Sequence, residues 1–68
     1  MKLSARNALK GKIEKITKGA VTTTVHIDVG HGIHLTSSIT NDAAEDLDLK
    51  VGDTVTAIVK SSDVIVGK

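Results

Sequence analysis

The sequence contains no phenylalanine, tyrosine, tryptophan, cysteine or proline among its 68 residues. Without cysteine, neither a disulfide nor a thiolate metal site can stabilise the fold. Without aromatic side chains, the core must consist of Val, Ile, Leu and Ala. A chain this short forms a single domain, 1–68, and buries only about 60% of its unfolded surface, so folding is marginal. We therefore expect a homo-oligomer, in which several thin cores share buried surface.

The sequence also lacks a large net charge of either sign, because nine Lys and Arg are balanced by eight Asp and Glu. Proteins that bind nucleic acid or membranes by charge need a concentrated basic face, and single-strand binders also need aromatic stacking platforms. We therefore expect no nucleic-acid or membrane partner. The first residues show no apolar leader and no stretch is long enough to span a membrane, so a cytoplasmic protein is expected.

Alternation of apolar and polar residues predicts most of the strands. The clearest strand is 21–29, with alternate residues from Val21 to Val29 on one face. Residues 9–13 alternate too, but Ile16 breaks the phase and indicates a bulge or a strand end near Lys15. A hairpin turn at 30–32 leads into a third strand. Two further strands are predicted, at 54–60 and 64–66.

The hydrophobic period changes between the third and fourth strands. Residues 40–47 combine cap residues with helix formers, and Asp42 with Glu45 has the spacing of a capping box. This pattern predicts one or two helical turns. The order β-β-β-α-β-β and the length favour an all-β fold with one short helix, an OB-like five-stranded barrel or a partly closed sheet.

Three histidines, His26, His31 and His34, raise the question of a metal site. Zinc needs four ligands, or three and a water molecule, and Asp28 is the only nearby carboxylate. Histidines on the solvent face of a hairpin explain the pattern as well, so we expect no cation ligands. The sequence has no Cys nucleophile, no Ser beside a His–Asp pair and no nucleotide-binding glycine motif. It therefore predicts no enzyme activity.

Two groups of hydrogen-bond donors stand near opposite ends of the chain. The first is Ser4, Arg6 and Asn7, and the second is Lys60 and Ser61. Each alone also fits an ordinary explanation, a solvated terminus for the first and a polar turn for the second. Together they suit a tetrahedral dianion such as molybdate, tungstate or sulfate, which only accepts hydrogen bonds at neutral pH. The condition is that the two ends converge, within one subunit or between neighbours.

The same residues resemble the molbindin (Mop) family of single TOBE-type domains. The resemblance rests on Ser-Ala-Arg-Asn at 4–7 with Leu-Lys-Gly at 9–11, and on Leu-Lys-Val-Gly-Asp at 49–53 continuing to Val-Lys-Ser-Ser at 59–62. It extends over essentially the whole chain. It implies an OB-like fold, a homohexamer arranged as a trimer of dimers, and molybdate or tungstate bound at subunit interfaces.

The resemblance also implies roles for individual residues. Binding roles fall on Ser4, Arg6, Asn7, Lys60 and Ser61, with Thr40 as a further donor. Some relatives carry Ser three residues after that Thr, where this chain has Ala43, so one hydroxyl is missing. A second family site lies near the symmetry axis, and its candidates here are Lys18 and Gly19.

The sequence therefore predicts an oxyanion-binding and storage protein, with molybdate as the first ligand and tungstate as the second. A regulatory or structural oligomerisation module that binds anions only incidentally is the alternative. We expect Arg6 and Lys60 to hold the anion together across a subunit interface, because charge-assisted bonds best replace the hydration that a dianion loses.

Overall fold

The computed structural model describes residues 4–68, which form one curled antiparallel sheet and a short helix. The sheet order is β3-β2-β1-β4. No helix within 4–68 is long and apolar enough to cross a membrane. The strands are β1 (Asn7–Lys18), β2 (Thr22–Gly30), β3 (Ile33–Thr40) and β4 (Thr54–Val59), and α1 (Asn41–Asp46) lies between β3 and β4.

β1 is the strand around which the sheet curls. Its first half, from Asn7 to Lys12, pairs with β4, and its second half, from Lys12 to Lys18, pairs with β2. Gly11 lies where the pairing changes over, and a Cβ atom on it would be only 2.5 Å from the carbonyl oxygen of Asp28. The close approach of the two backbones therefore requires glycine at this position.

The bulge predicted in β1 is confirmed. Pairing with β2 shifts between Ile13 and Lys15, so Glu14 is the extra residue. Ile13 is only 2% exposed and Ile16 also packs against the core, whereas Glu14 and Lys15 are both exposed. The bulge thus places two consecutive side chains in solvent and restores the apolar phase at Ile16.

α1 forms where the sequence predicts a helix, but its cap is different. The N-cap is Thr40, whose hydroxyl oxygen accepts a hydrogen bond from the N–H of Ala43 at 3.1 Å. Asp42 lies inside the first turn. The predicted capping box of Asp42 with Glu45 is therefore wrong, because the cap begins two residues earlier.

Asn41 attaches the helix to the sheet. Its side-chain amide donates to the carbonyl oxygen of Gly19 at 3.1 Å, and its side-chain oxygen accepts from the hydroxyl of Thr23 at 2.7 Å. Thr23 is the one buried polar residue of the described chain, at 3% exposure. This bond satisfies its hydroxyl, so burying it carries little cost.

The all-β class with one short helix is confirmed, but the closed barrel of five strands is wrong. The described chain has four strands and the barrel is open. Ser61–Asp63 forms a turn of 3-10 helix, and residues 64–66 lie in no strand. β-branched residues favour extended backbone, but a strand also needs a partner edge. None pairs with 64–66 within residues 4–68.

The core is small, as expected for a chain without aromatic residues. Its buried apolar residues are Ile13, Val25 and Ile27. Ile65 and Val66 are 94% and 88% exposed. The open interior of the sheet also leaves an apolar cavity of about 360 Å³. The oligomer predicted from the sequence would cover surfaces of this kind.

Candidate anion-binding site

The two donor groups converge at one end of the β1–β4 pair. Asn7 lies opposite Val59 in the strand register, and its side-chain amide donates to the carbonyl oxygen of Val59 at 3.2 Å. Arg6 and Lys60 are the next residues outward on the two segments. A single chain therefore brings its two ends together, so the separation of the clusters in sequence no longer requires an interface.

The segment that carries Lys60 and Ser61 has a well-defined backbone. Lys60 is the N-cap residue of the 3-10 turn, and its carbonyl oxygen accepts from the N–H of Asp63 at 2.9 Å. The carbonyl oxygen of Ser61 accepts from the N–H of Val64 at 3.3 Å. Because these bonds use backbone groups, the ammonium of Lys60 and the hydroxyl of Ser61 stay exposed.

The two cations at this end form no ion pair with a carboxylate among residues 4–68. Among residues 4–68, the ion pairs join Lys18 to Glu45, His34 to Glu14 and Lys50 to Asp48. Arg6 and Lys60 take part in none of these pairs. The end of the β1–β4 pair therefore carries two cations outside any ion pair, with Asp63 in the adjoining 3-10 turn, on a chain whose net charge is only +1.

All these donors are nevertheless exposed in one chain. Ser4, Arg6, Asn7, Lys60 and Ser61 are each open to solvent. In water the attraction between two opposite unit charges 4 Å apart is only about 1 kcal/mol. The same attraction is several times stronger where water is excluded. A tight site for a dianion would therefore need a further surface over this end.

Thr40 does not belong to this group in a single chain. It ends β3 opposite Thr22, close to the point where Lys18 of β1 pairs with Thr23. Asn7 and Lys18 are the first and last residues of the same 12-residue strand. An extended strand of that length spans up to roughly 36 Å, so Thr40 and Lys60 lie at opposite ends of the sheet.

The hydroxyl of Thr40 retains a donor. Its oxygen accepts the N–H of Ala43 as the helix cap, which leaves the O–H proton for another acceptor. Ala43 itself occupies the first turn of α1, and it offers no side-chain hydroxyl beside that of Thr40.

Lys18 and Gly19, the candidates for a second site, lie beside acidic groups. The ammonium of Lys18 is 3.7 Å from the carboxylate of Glu45, and the N–H of Gly19 donates to the carbonyl oxygen of Thr22 at 2.8 Å. A neighbouring cavity of about 220 Å³ is lined by both Glu45 and Asp48. In a single chain these carboxylates disfavour a dianion.

One cluster was missed by sequence reasoning. The ring Nδ1 of His34 lies 2.6 Å from Oε2 of Glu14, and Asp28 lies beside both. The hydrogen bond to Glu14, and then the charge of the same carboxylate, raise the pKa of His34 above its usual 6.5. Alternation from Ile13 already places Glu14 on the solvent face, so the signal in the sequence was its strand face, whereas its neighbours across the strands were not visible.

The chain is similar to known proteins over nearly its whole length. The family model of the TOBE domain covers residues 3–66. A probable molybdenum-pterin-binding protein of Haemophilus influenzae is 48% identical over 67 residues, 98% of this chain and 97% of the relative.

Solved structures agree with the sequence comparison. A molybdate-binding protein from Sporomusa ovata has a TM-score of 0.94 at 43% identity, with 100% of both chains covered. The structure of ModG, described as a cytoplasmic molybdate-binding protein and solved with molybdate bound, has a TM-score of 0.91 at 40% identity. That match covers 96% of this chain and 46% of the other.

Proposed function

Because the chain belongs to the Mop family of TOBE-domain proteins, we propose that it binds molybdate, for storage, through the donors at the end of the β1–β4 pair. The relatives are named as proteins that bind molybdate or molybdenum-pterin, and none is named as an enzyme in the three matches above. The same residues suit tungstate, which demands the same donors. The cytoplasmic location described for ModG supports a cytoplasmic role here.

The observation that carries this proposal is the convergence of two unpaired cations. Arg6 and Lys60 flank the Asn7–Val59 pair, and no ion pair within residues 4–68 includes either of them. Charge-assisted hydrogen bonds are roughly twice as strong as neutral ones, so two cations together offset much of the dianion's lost hydration. Ser4, Asn7 and Ser61 add neutral donors, and a fully deprotonated anion needs donors alone.

The anion is bound at an interface between subunits of a homohexamer. Support comes from the exposure of the donors in one chain and from the position of Thr40 at the far end of β1. A second copy that placed its Thr40 end over the Lys60 end of the first would supply the missing hydroxyl and exclude water. The open apolar interior and the exposed Ile65 and Val66 offer the apolar area for such contacts.

Titration calorimetry with molybdate, tungstate and sulfate, at one fixed ionic strength, tests the proposal. We expect saturable binding of molybdate and tungstate with a stoichiometry of roughly one anion per chain or more, and weaker binding of sulfate. An oligomer of the same size that bound none of the three would instead favour the alternative, a regulatory or structural oligomerisation module.

The experiment should also include a molybdenum-pterin complex, because the Haemophilus relative is named as a probable molybdenum-pterin-binding protein. A pterin ring is usually held by stacking, and this chain has no aromatic residue with which to stack it. Free molybdate should therefore bind at least as well as a molybdenum-pterin. Binding of the pterin complex alone would show that the ligand class is wrong even if the site is correct.

A further inference from the structure

Three strands bring Glu14, Asp28 and His34 together on the solvent face of the sheet. Asp28 of β2 lies directly opposite His34 of β3, and Glu14 stands at the bulge of β1. One carboxylate oxygen of each acid and a ring nitrogen of His34 all lie within 4.8 Å of one another. Each side chain is exposed, so the cluster is reachable from solvent.

Contacts outside the cluster hold two of the three residues in place. Ile13, the residue before Glu14, is held by two backbone hydrogen bonds. The N–H of Ile13 donates to the carbonyl oxygen of Asp53 at 3.0 Å, and the carbonyl oxygen of Ile13 accepts from the N–H of Gly52 at 2.8 Å. Oδ1 of Asp28 accepts from the N–H of Gly30 at 2.9 Å. This bond restrains the carboxylate of Asp28, as supporting hydrogen bonds orient metal-binding carboxylates.

We propose that Glu14, Asp28 and His34 bind a divalent transition-metal ion of the zinc class. Two carboxylate oxygens and one imidazole nitrogen suit zinc, whose open sites have three protein ligands and a water molecule. Imidazole is a ligand for Zn, Cu, Ni and Co, whereas Mg and Ca take oxygen. The site depends on none of the anion-binding residues, and it revises the expectation from sequence, which counted Asp28 as the only nearby carboxylate.

Two of the three ligand atoms, those of His34 and Glu14, need only a small adjustment to accept the ion, and the Asp28 oxygen lies within 4.8 Å of both. Two ligands of a tetrahedral zinc ion, each about 2.0–2.1 Å from it, lie roughly 3.3 Å apart. Nδ1 of His34 and Oε2 of Glu14 are now 2.6 Å apart. The ion takes the place of the hydrogen-bonded proton between them, and any proton on that nitrogen is released to water as the two atoms separate by less than about 1 Å.

Two lysines stand near the cluster and oppose a cation. Lys12 pairs with Asp28 in the strand register, and Lys15 pairs with His26 in the next row. Both are exposed, so their long stems can keep the ammonium groups in water. Replacing Lys12 with Met should therefore tighten metal binding, whereas replacing a ligand should weaken it.

The experiment is a Zn²⁺ titration of the intact protein by calorimetry, repeated with Co²⁺ and followed by visible absorption. We expect saturable binding at about one ion per chain, and a loss of roughly tenfold or more in affinity for each of Glu14→Gln, Asp28→Asn and His34→Gln. The matched control is His31→Gln, which removes an exposed histidine of the β2–β3 turn and should leave the affinity unchanged.

A second measurement avoids any dependence on the variants. In the parent protein, Zn²⁺ should shift the imidazole NMR signals of His34 at stoichiometric metal, before those of His26 and His31. The proposal is overturned if His31→Gln loses as much affinity as His34→Gln, if the three ligand variants bind like the parent, or if the His34 signals do not move. Light scattering on each variant checks that the oligomer is unchanged.

Discussion

Lys60 is the residue on which molybdate binding should depend most. Its carbonyl oxygen accepts a hydrogen bond from the N–H of Asp63 in the 3-10 turn. Its ammonium is exposed and takes part in no ion pair among residues 4–68. Lys60→Met keeps most of the stem and removes the charge, so we expect a loss of about 1.5–3 kcal/mol per site, or roughly 10–150-fold in affinity. Ser61→Ala should lose less, because its backbone N–H remains as a donor.

Calorimetry with molybdate measures the effect of Lys60→Met, and Lys10→Met is its control. Lys10 is exposed on the same β1–β4 pair, opposite Thr56, so its replacement removes an equal charge from the middle of the pair. The control should stay close to the parent. Equal losses in both variants would mean that net charge, and not the position of Lys60, determines affinity.

Glu14 should control the protonation of His34. The hydrogen bond and the charge of Glu14 raise the pKa of His34, and Asp28 adds a smaller increase. Glu14→Gln should therefore lower that pKa towards 6.5, and Asp28→Asn should lower it less. An NMR titration of the imidazole signals in metal-free buffer measures both shifts.

The direction of the pKa shift also determines a dependence of stability on pH. Because the pKa is higher in the folded state, the pair stabilises the fold fully below the unfolded value, about 6.5, and this contribution is lost as pH rises through the folded pKa. The thermal midpoints of the parent and Glu14→Gln should thus differ most at mildly acidic pH, just below 6.5, and converge at alkaline pH. A difference that grew with pH would contradict the assignment.

Residue type alone was enough to select the candidate donors, but not the contacts that depend on strand register. Arg6, Asn7, Lys60 and Ser61 stand out in sequence because each offers donors near an apolar run. The proximity of Glu14 to His34, 20 positions apart, follows from a bulge and two strand pairings together. Alternation reveals which face a side chain occupies, but it does not reveal its cross-strand neighbour.

At the level of elements, β1 determines the curl of the sheet through Gly11. A Cβ atom there would lie 2.5 Å from the backbone oxygen of Asp28 and 2.8 Å from Cγ2 of Ile27. These clashes could be relieved only by moving β1 and β2 apart. We expect Gly11→Ala to destabilise the protein by about 1–3 kcal/mol, the usual cost of overpacking.

Denaturant unfolding at one fixed protein concentration measures the effect of Gly11→Ala. The control is Gly67→Ala, because a Cβ on Gly67 meets no atom within 4 Å. It should change the free energy of unfolding by less than about 0.5 kcal/mol. If both variants unfolded at the same denaturant concentration, β1 and β2 would not approach as closely at Gly11 as the structure indicates.

The errors in the element predictions share one physical cause. Residues 64–66 have the β-branched composition of a strand and Val64 has extended dihedral angles, yet no edge of the described sheet pairs with them. The cap of α1 was misplaced for a similar reason, since Asp42 and Thr40 are both good N-cap residues and only tertiary contacts choose between them. Local propensity predicts the type of backbone, whereas its partners come from the fold.

For the whole molecule, the thin core supports an assembly of several chains. Among residues 4–68, three buried apolar residues leave little hydrophobic stabilisation, and large apolar side chains such as Ile65 and Val66 are mostly exposed. The number of copies could not be derived from composition, because composition shows that apolar surface is left over but not the symmetry that covers it.

Mixed assemblies can decide which copies contribute to one anion site. Thr40 and Lys60 lie at opposite ends of β1, so we expect them to come from different subunits of each site, whereas Arg6 and Lys60 flank one strand pair and should come from the same subunit. Thr40→Val and Lys60→Met chains, unfolded together and refolded at equal amounts, should restore native-like affinity in about one quarter of the sites by random assembly.

An equal mixture of Arg6→Met and Lys60→Met chains should restore no sites. If Arg6 and Lys60 of a site come from one chain, each site receives either the defective residue 6 or the defective residue 60. Both mixtures contain the same fraction of Lys60→Met chains, and light scattering verifies that the assemblies are equal in size. Thr40→Ser keeps both the cap and the donor and should need no rescue. Recovery in the arginine mixture alone would show that Arg6 and Lys60 of one site belong to different copies, despite their convergence within each chain.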